Sequence, residues 1–172
     1  MNVLALDLST HKTGYAVFLK NILKTYGLFE AEGCNYHQRI LFVREKIIEK
    51  IREFKIDYII LEEVPMSKNN NLRVAHDLCV CQGAVVGICG QLDLGLRLYP
   101  PTSWRSVMGT YDGTREGTKR DVQKERAVNL VNGIYGLTFE YWKSDTKKHK
   151  SDDDICEAIL LGLAFLKEEG TT

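Results

Sequence analysis

Two apolar runs of strand length, each ending in acidic residues, constrain the fold of this chain most strongly. The first is NVLALDLS at residues 2–9, which contains Asp7, and the second is IDYIILEEV at residues 56–64, which contains Glu62. The second run is apolar and rich in β-branched residues, which is typical of a buried parallel strand. Ligands bind at such strand ends in α/β sheets, so both acids are candidate site residues.

The segments around these runs predict a three-strand meander followed by helical crossovers. TGYAVFLK and ILKTYGLFEAEG have the composition of two further strands, joined by a tight turn near Lys20 and Asn21. Between Tyr36 and Phe54 apolar residues recur at helical spacing, which predicts a helix that crosses over the sheet. In this topology strands one and four can be neighbours.

The second half of the chain predicts further crossovers. Residues 71–91 predict a helix of small residues, LRLYPP at residues 96–101 predicts a short strand that ends at its prolines, and two helices follow, one from about Thr118 and one at the end of the chain. The predicted order is β-β-β-α-β-α-β-α-α. This is an α/β fold with a mixed sheet and helices on both of its faces.

Composition favours one soluble domain over residues 1–172. The chain is 44% hydrophobic and 27% charged, and we expect no segment long enough to span a membrane. The N-terminus has no signal-peptide pattern, so a cytoplasmic location is expected. Five cysteines without a CxxC pair indicate reduced thiols and no zinc site.

Charge is distributed unevenly along the chain. The formal net charge is zero, but residues 97–150 hold eleven Lys or Arg against six Asp or Glu, a surplus of about five positive charges. Such a basic third predicts contact with nucleic-acid phosphates.

The final predicted helix begins with acids although most of it is apolar. In SDDDICEAILL, at residues 151–161, Asp154 and Glu157 lie on one helical face at i, i+3 spacing. If this helix packs at the sheet edge that carries Asp7 and Glu62, four carboxylates share one small space. Only cations can reverse their repulsion, and oxygen ligands favour Mg²⁺ or Mn²⁺. Two such ions can hydrolyse a phosphodiester.

Each acid also has an ordinary structural explanation. Acids at a helix start serve as caps and interact with the helix dipole, which alone would explain SDDD. Asp7 could end a strand at a turn, and Glu62 or Glu63 could be a solvated edge charge.

Four motifs, taken in order, resemble the RuvC-type Holliday junction resolvases of the RNase H-like superfamily, and the small size is similar to that of phage-encoded members. The motifs are LALDLSTHKTGYAV, IDYIILEEVPMSKN, GTKRDVQKERAV and DDICEAILLGLA. Together they cover nearly the whole chain.

The resemblance implies a metal-binding tetrad and a set of basic residues. Asp7, Glu62, Asp154 and Glu157 would hold two Mg²⁺ ions, with Asp7 bridging them and Mn²⁺ able to substitute. Lys119 matches a lysine that the family uses near the scissile phosphate, and Lys124 or Arg126 would take a second basic role. The residues expected to contact DNA are Lys68, Arg73, Arg115, Lys119, Arg120 and Lys124.

The chain departs from the family pattern at three places. Glu157 stands where cellular members usually have Asp, and Asp153 is a rival ligand at i, i+4 to Glu157. Pro65 replaces an aromatic residue that stacks on a base in bacterial members, and Met66 offers only apolar contact. Cleavage guided by branch shape is therefore expected rather than cleavage at one sequence.

The resemblance also implies a homodimer that binds branched DNA, since two symmetric cuts need two sites related by a two-fold axis. The helix with CVCQGAVVGICG at residues 79–90 is a candidate interface, or its small residues simply pack against the sheet. Tyr111, Trp104 and Trp142 are candidates for stacking on bases, or for ordinary packing.

The expected function is therefore two-metal cleavage of Holliday junctions and other branched DNA, in recombination, repair or phage DNA processing. Three alternatives are a junction-binding scaffold that does not cleave, an RNase H-like nuclease that acts on RNA, and an actin-like sugar kinase or ATPase. The kinase alternative is weak, because DLSTHKTG lacks a glycine directly after the aspartate and 172 residues leave no second domain.

Overall fold

One mixed sheet of five strands, in the order β3-β2-β1-β4-β5, forms the centre of the molecule. The computed structural model describes residues 1–31, 35–64, 72–143 and 150–170. The strands are β1 (Asn2–Asp7), β2 (Lys12–Leu19), β3 (Ile22–Glu30), β4 (Tyr58–Glu62) and β5 (Gly95–Tyr99). The helices are α1 (Tyr36–Phe54), α2 (Leu72–Leu92), α3 (Pro101–Met108), α4 (Arg120–Tyr135) and α5 (Asp153–Glu168).

The pairing of β1 places the two acidic strand ends side by side. β1, β2 and β3 form the predicted antiparallel meander, and Lys20 and Asn21 take the positive φ values of a two-residue hairpin turn. On its other side β1 pairs in parallel with β4, with Leu6 opposite Leu61. The predicted neighbours are confirmed, and Asp7 and Glu62 lie at the same edge of the sheet.

Helices cover both faces of the sheet, as the sequence predicts. Alternate residues of β1 point to opposite faces, so Leu4 and Leu6 pack with α1 and α2, whereas Val3 and Ala5 pack with the other three helices. The last helix, α5, contacts β1, β2, β3 and β4 as well as α3 and α4. It is apolar because it is buried on nearly every side.

Two glycines let α5 approach the sheet closely. A Cβ at Gly14 in β2 would overlap the backbone carbonyl of Asp154, and a Cβ at Gly162 would overlap the ring of Phe18. Gly14 is also the cross-strand partner of Asp7. The first turn of α5 is therefore held directly beside the end of β1.

The short helix α3 was not predicted. The two prolines were interpreted only as the end of a strand, but Pro101 occupies the first helical turn, where its missing N–H leaves no hydrogen bond unmade. Gly109 ends the helix in a left-handed conformation. The element order therefore gains one helix, and Trp104 and Arg105 are buried on it.

The helix α2 is the one described segment that is long and apolar enough to cross a membrane by length and composition. An 18-residue window has mean hydropathy 1.4 and is 28% buried, so the expectation that no segment reaches this length was wrong. That expectation was based on runs of uninterrupted apolar residues, whereas the mean hydropathy of a window stays high even when the window includes glycines and Gln82. One such helix is weak evidence for a membrane span.

The cysteines in the described part of the chain, Cys79, Cys81, Cys89 and Cys156, are free.

Candidate metal centre

Three carboxylates converge at the edge of the sheet. Asp7, at the end of β1, meets Asp154 and Glu157 from the first turn of α5, and one oxygen of each lies within 4.8 Å of the others. Glu157 is buried and the other two are partly buried. This arrangement follows from the contact of α5 with Gly14, which is paired with Asp7.

Glu62 lies beside this group, but its carboxylate is bound elsewhere. Its Oε2 accepts a hydrogen bond from Trp104 Nε1 at 2.7 Å and lies 2.9 Å from Nη1 of Arg105. The fourth predicted ligand is therefore near the other three and is held by two residues of α3.

Arg105 joins the two sides of the acidic group. Its Nη2 donates to Glu157 Oε1 at 2.6 Å, while Nη1 contacts Glu62, and only 9% of the residue is exposed. Its guanidinium lies over the ring of Trp104. By sequence, Arg105 is only one of the cations of the basic third; the one available signal was a Trp-Arg pair three residues after the last proline of a strand end.

Asp153 and Asp154 contact a second cation, Lys124 of α4. Lys124 Nζ pairs with Asp153 and lies 3.3 Å from Asp154 Oδ1. Of the two rival ligands, Asp154 belongs to the group of three and Asp153 does not. Asp152 makes no side-chain cap for α5 and instead accepts the backbone N–H of Glu140, so capping does not explain the acids of SDDD.

Burial and mutual repulsion make these carboxyls hard to ionise. Burial, with the charges of Glu157, Asp154 and Glu62, raises the pKa of Asp7 well above its usual value. Burial also raises the pKa of Asp154 to about 6, against the opposing effect of Lys124. The pKa of Glu62 is raised for the same reason, although Arg105 opposes the shift. Raised carboxyl pKa values in a cleft are typical of functional sites.

Two clefts open beside the acidic group. The larger, of about 500 Å³, is lined by Asp7, Glu62, Arg105, Arg120 and Lys124 among others. The second, of about 370 Å³, lies on the far side of Lys124 and includes Arg120, Tyr141 and Trp142. Lys124 and Arg120 therefore line both clefts.

The other residues that the sequence predicts to contact DNA lie outside the group of three carboxylates. Lys119 occupies the N-cap position of α4 without a side-chain capping bond and lines neither cleft, and its exposed ammonium pairs with Glu116. Arg115 is exposed on the preceding loop, and Arg73 is exposed at the start of α2. Arg126 pairs with Asp112. Pro65, Met66 and Lys68 lie outside the described residues.

The three candidate stacking residues differ in exposure. Trp104 is only 1% exposed and donates to Glu62, so it supports the acidic group and is not accessible for stacking on a base. Trp142 is 39% exposed at the second cleft, and Tyr111 is partly exposed.

The acidic group fits a divalent cation bound by oxygen ligands. Three carboxylate oxygens within 4.8 Å of one another, two supplied by one helix turn and one by a rigid strand end, match the hard-ligand preference of Mg²⁺ and Mn²⁺. The described part of the chain places no cysteine or histidine in this group, so it does not resemble a zinc site.

Solved structures share this fold across nearly the whole chain. Thermus thermophilus RuvC in complex with a Holliday junction substrate aligns with a TM-score of 0.70 at 16% identity, covering 99% of this chain and 97% of that chain. The chain has the fold of RuvC. The yeast mitochondrial Holliday junction resolvase aligns with a TM-score of 0.60 at 10% identity, covering 98% of this chain and 79% of its own.

A viral resolvase has the same fold. The fowlpox virus enzyme, solved in complex with Holliday junction DNA, aligns with a TM-score of 0.52 at 15% identity, covering 96% of this chain and 99% of its own. No protein-family model and no curated protein matches the sequence. The comparisons establish the RNase H-like fold predicted from the four motifs.

Proposed function

We propose that this protein is a structure-selective, metal-dependent endonuclease that cleaves Holliday junctions and other branched DNA. The observation that carries the proposal is the convergence of Asp7, Asp154 and Glu157 at the end of two parallel strands, in a fold shared with resolvases solved on Holliday junctions. Asp7 is the central member, because Glu157, Asp154 and Glu62 all raise its pKa.

The residues of the site support two-metal phosphodiester hydrolysis. Asp7, Asp154 and Glu157 would hold one Mg²⁺ or Mn²⁺, and Glu62, at the same sheet edge, would help to hold a second. Such ions, when bound, activate a water molecule and stabilise the departing oxygen. Trp104 is buried and donates to Glu62, so this side of the carboxylate faces protein rather than solvent, which strengthens its attraction to a cation.

The basic residues around the clefts would hold the DNA backbone. Arg120 and Lys124 line both clefts beside the carboxylates, and Arg115 and Lys119 are exposed next to them. The ion pair of Lys119 with Glu116 is a solvated i, i+3 pair of little strength, so a phosphate can compete for the ammonium. Binding should therefore weaken strongly with salt and depend little on sequence.

A homodimer through α2 would supply two such sites for paired cuts. α2 packs on the sheet through residues such as Val85 and Ile88, while a Cβ at Gly83, Gly87 or Gly90 would meet nothing within 4 Å. These three glycines therefore do not serve contact with the sheet. Together with the exposed Val80 and Val86 they offer a face that a second copy could cover.

Cleavage of an end-labelled four-way DNA junction tests the function. The wild type, Asp7→Asn and the control Glu49→Gln, an exposed acid of α1, are compared in Mg²⁺, Mn²⁺ and EDTA, with linear duplex and an RNA–DNA hybrid as further substrates. We expect paired nicks near the crossover that disappear in EDTA and in Asp7→Asn but persist in Glu49→Gln.

Other outcomes identify the alternatives. Tight junction binding without nicks in either metal would leave a DNA-binding scaffold. Preferred cleavage of the hybrid would indicate a nuclease that acts on RNA. Nicks that survive Asp7→Asn would show that the acidic group is not the site of hydrolysis.

A further inference from the structure

Arg105 is a buried cation placed among the carboxylates of the proposed metal site, and no function has been assigned to it so far. Its two terminal nitrogens contact different acids, Glu62 at 2.9 Å and Glu157 at 2.6 Å. These acids come from β4 and α5, and Arg105 itself comes from α3. One guanidinium therefore connects three elements that meet at the site.

We propose that Arg105 is a positioning residue, an internal counter-ion that holds Glu62 and Glu157 in place until a divalent cation binds. The inference rests on the proposed function, because it takes the acidic group to be a metal centre. It adds that Glu62 joins the centre only by sharing or releasing its contacts with α3.

The need for such a counter-ion follows from charge and burial. Four carboxylates meet in a partly dry cleft, where uncompensated like charges would push the elements apart or force protons onto the acids. Lys124 faces Asp153 and Asp154, on one side of the group. Arg105 contacts Glu62 and Glu157, on the opposite side.

The chemistry of the contacts requires an arginine. A guanidinium presents donors in a planar fork, so Nη1 and Nη2 can bind two separate acids at once, whereas a lysine offers a single point charge. Arg105 Nε is buried and makes no hydrogen bond among the described residues. The contacts with the two acids are therefore made by Nη1 and Nη2.

The surrounding helix holds this fork rigidly. Arg105 Nη1 also donates to the carbonyl of Pro101, and the guanidinium lies 4.3 Å from the ring centroid of Trp104. Trp104 in turn donates to Glu62. The carboxylate of Glu62 is therefore held by two side chains of one helix, outside the group of three.

The test compares thermal unfolding of the wild type, Arg105→Met, Arg105→Lys and the control Arg97→Met, in EDTA and in saturating Mg²⁺. Arg97 is an exposed arginine of β5 next to Glu168. Arg97→Met therefore also removes one positive charge, but at a position away from the site. We expect Arg105→Met to lower the Tm in EDTA by about 10 °C, and Mg²⁺ to recover at least half of that loss. Arg105→Lys should lose less, and Arg97→Met should change little in either condition.

Three results would overturn the inference. One is an equal loss of Tm in EDTA and Mg²⁺, which would mean that Arg105 serves only packing against Trp104. Another is no loss at all. If Arg105→Met does not fold, the variant that also carries Glu62→Gln and Glu157→Gln should fold, because the repelling charges are gone; failure of this variant is the third.

Binding of Mn²⁺, measured as loss of the free-ion signal in electron paramagnetic resonance, separates this inference from the proposed function. A wild type that binds Mn²⁺ but does not cut junctions would refute the function and leave the role of Arg105 standing. A wild type that binds no Mn²⁺ would refute both. Cleavage together with a metal-independent effect of Arg105→Met would refute the inference alone.

Discussion

At the scale of single residues, the site is defined by carboxyls that burial and neighbouring negative charges make hard to ionise. Burial raises the pKa values of Asp7 and Asp154, so in the metal-free protein both keep their protons to higher pH than in the unfolded chain. A divalent ion must displace these protons. Metal binding and proton release are therefore coupled at this site.

Stabilisation by Mg²⁺ should consequently increase with pH. For Asp154 the folded pKa of about 6 exceeds the unfolded value, so the metal-free fold loses stability as pH rises from about 4 to about 6. Mg²⁺ removes this loss, because the bound ion requires the ionised form. The difference in Tm between Mg²⁺ and EDTA should grow over this window, to about 5 °C or more with excess ion, and the raised pKa of Asp7 extends the increase to higher pH.

Thermal scans in Mg²⁺ and in EDTA across this pH range measure the difference in Tm. Subtracting one curve from the other removes the pH dependence that comes from groups the ion does not contact. Asp154→Asn serves as the matched variant and should flatten the dependence. A difference that stays constant from pH 4 to pH 7 would contradict the coupling.

At the scale of elements, the close contact between α5 and the β1–β2 hairpin places Asp154 beside Asp7. Gly14→Ala would push its new methyl group into the carbonyl of Asp154. We expect a loss of about 2 kcal/mol or more in stability and weaker Mn²⁺ binding, since the first turn of α5 must move. Denaturant unfolding and Mn²⁺ titration measure the two effects.

Gly133→Ala in α4 is the control for this change. A Cβ there meets nothing within 4 Å, so alanine should leave Mn²⁺ binding unchanged and be neutral or stabilising by up to about 1 kcal/mol. If Gly14→Ala unfolds like the wild type and binds Mn²⁺ equally well, α5 does not depend on this close approach.

The elements also show what sequence reasoning reaches and what it misses. The strands of Asp7 and Glu62, and the helix from Tyr36 to Phe54, have strong local patterns, and their predicted positions agree with the structure. The eight residues of α3 are too few for a periodic signal. The bonds of its Trp104 and Arg105 to the acids connect residues 42 and 52 positions apart, which local pattern does not reveal.

At the scale of the whole molecule, the helices that surround the acidic group and the helix of the candidate interface pack on opposite faces of one sheet. The acidic group, α3, α4 and α5 belong to one face and edge, whereas α1 and α2 cover the other face. A dimer formed through the exposed glycine face of α2 would leave the face that carries α3, α4 and α5 uncovered, although Leu78 of α2 also lines the larger cleft. Two open sites related by a two-fold axis suit paired cuts in a four-way junction.

The exposed face of α2 should consequently determine both the molecular mass of the protein in solution and whether the two cuts in a junction are paired. Val86 is 43% exposed there, and Val86→Glu would place a charge in the proposed interface. Leu41→Glu is the control, because Leu41 is 56% exposed on a different helix, α1. Light scattering should give about twice the chain mass of 19.6 kDa for the wild type and Leu41→Glu, and the single-chain mass for Val86→Glu.

Val86→Glu should then nick junctions one strand at a time, because the second site is no longer tethered near the first, so paired cuts lose their coupling. A monomeric wild type that still makes paired cuts would refute the interface.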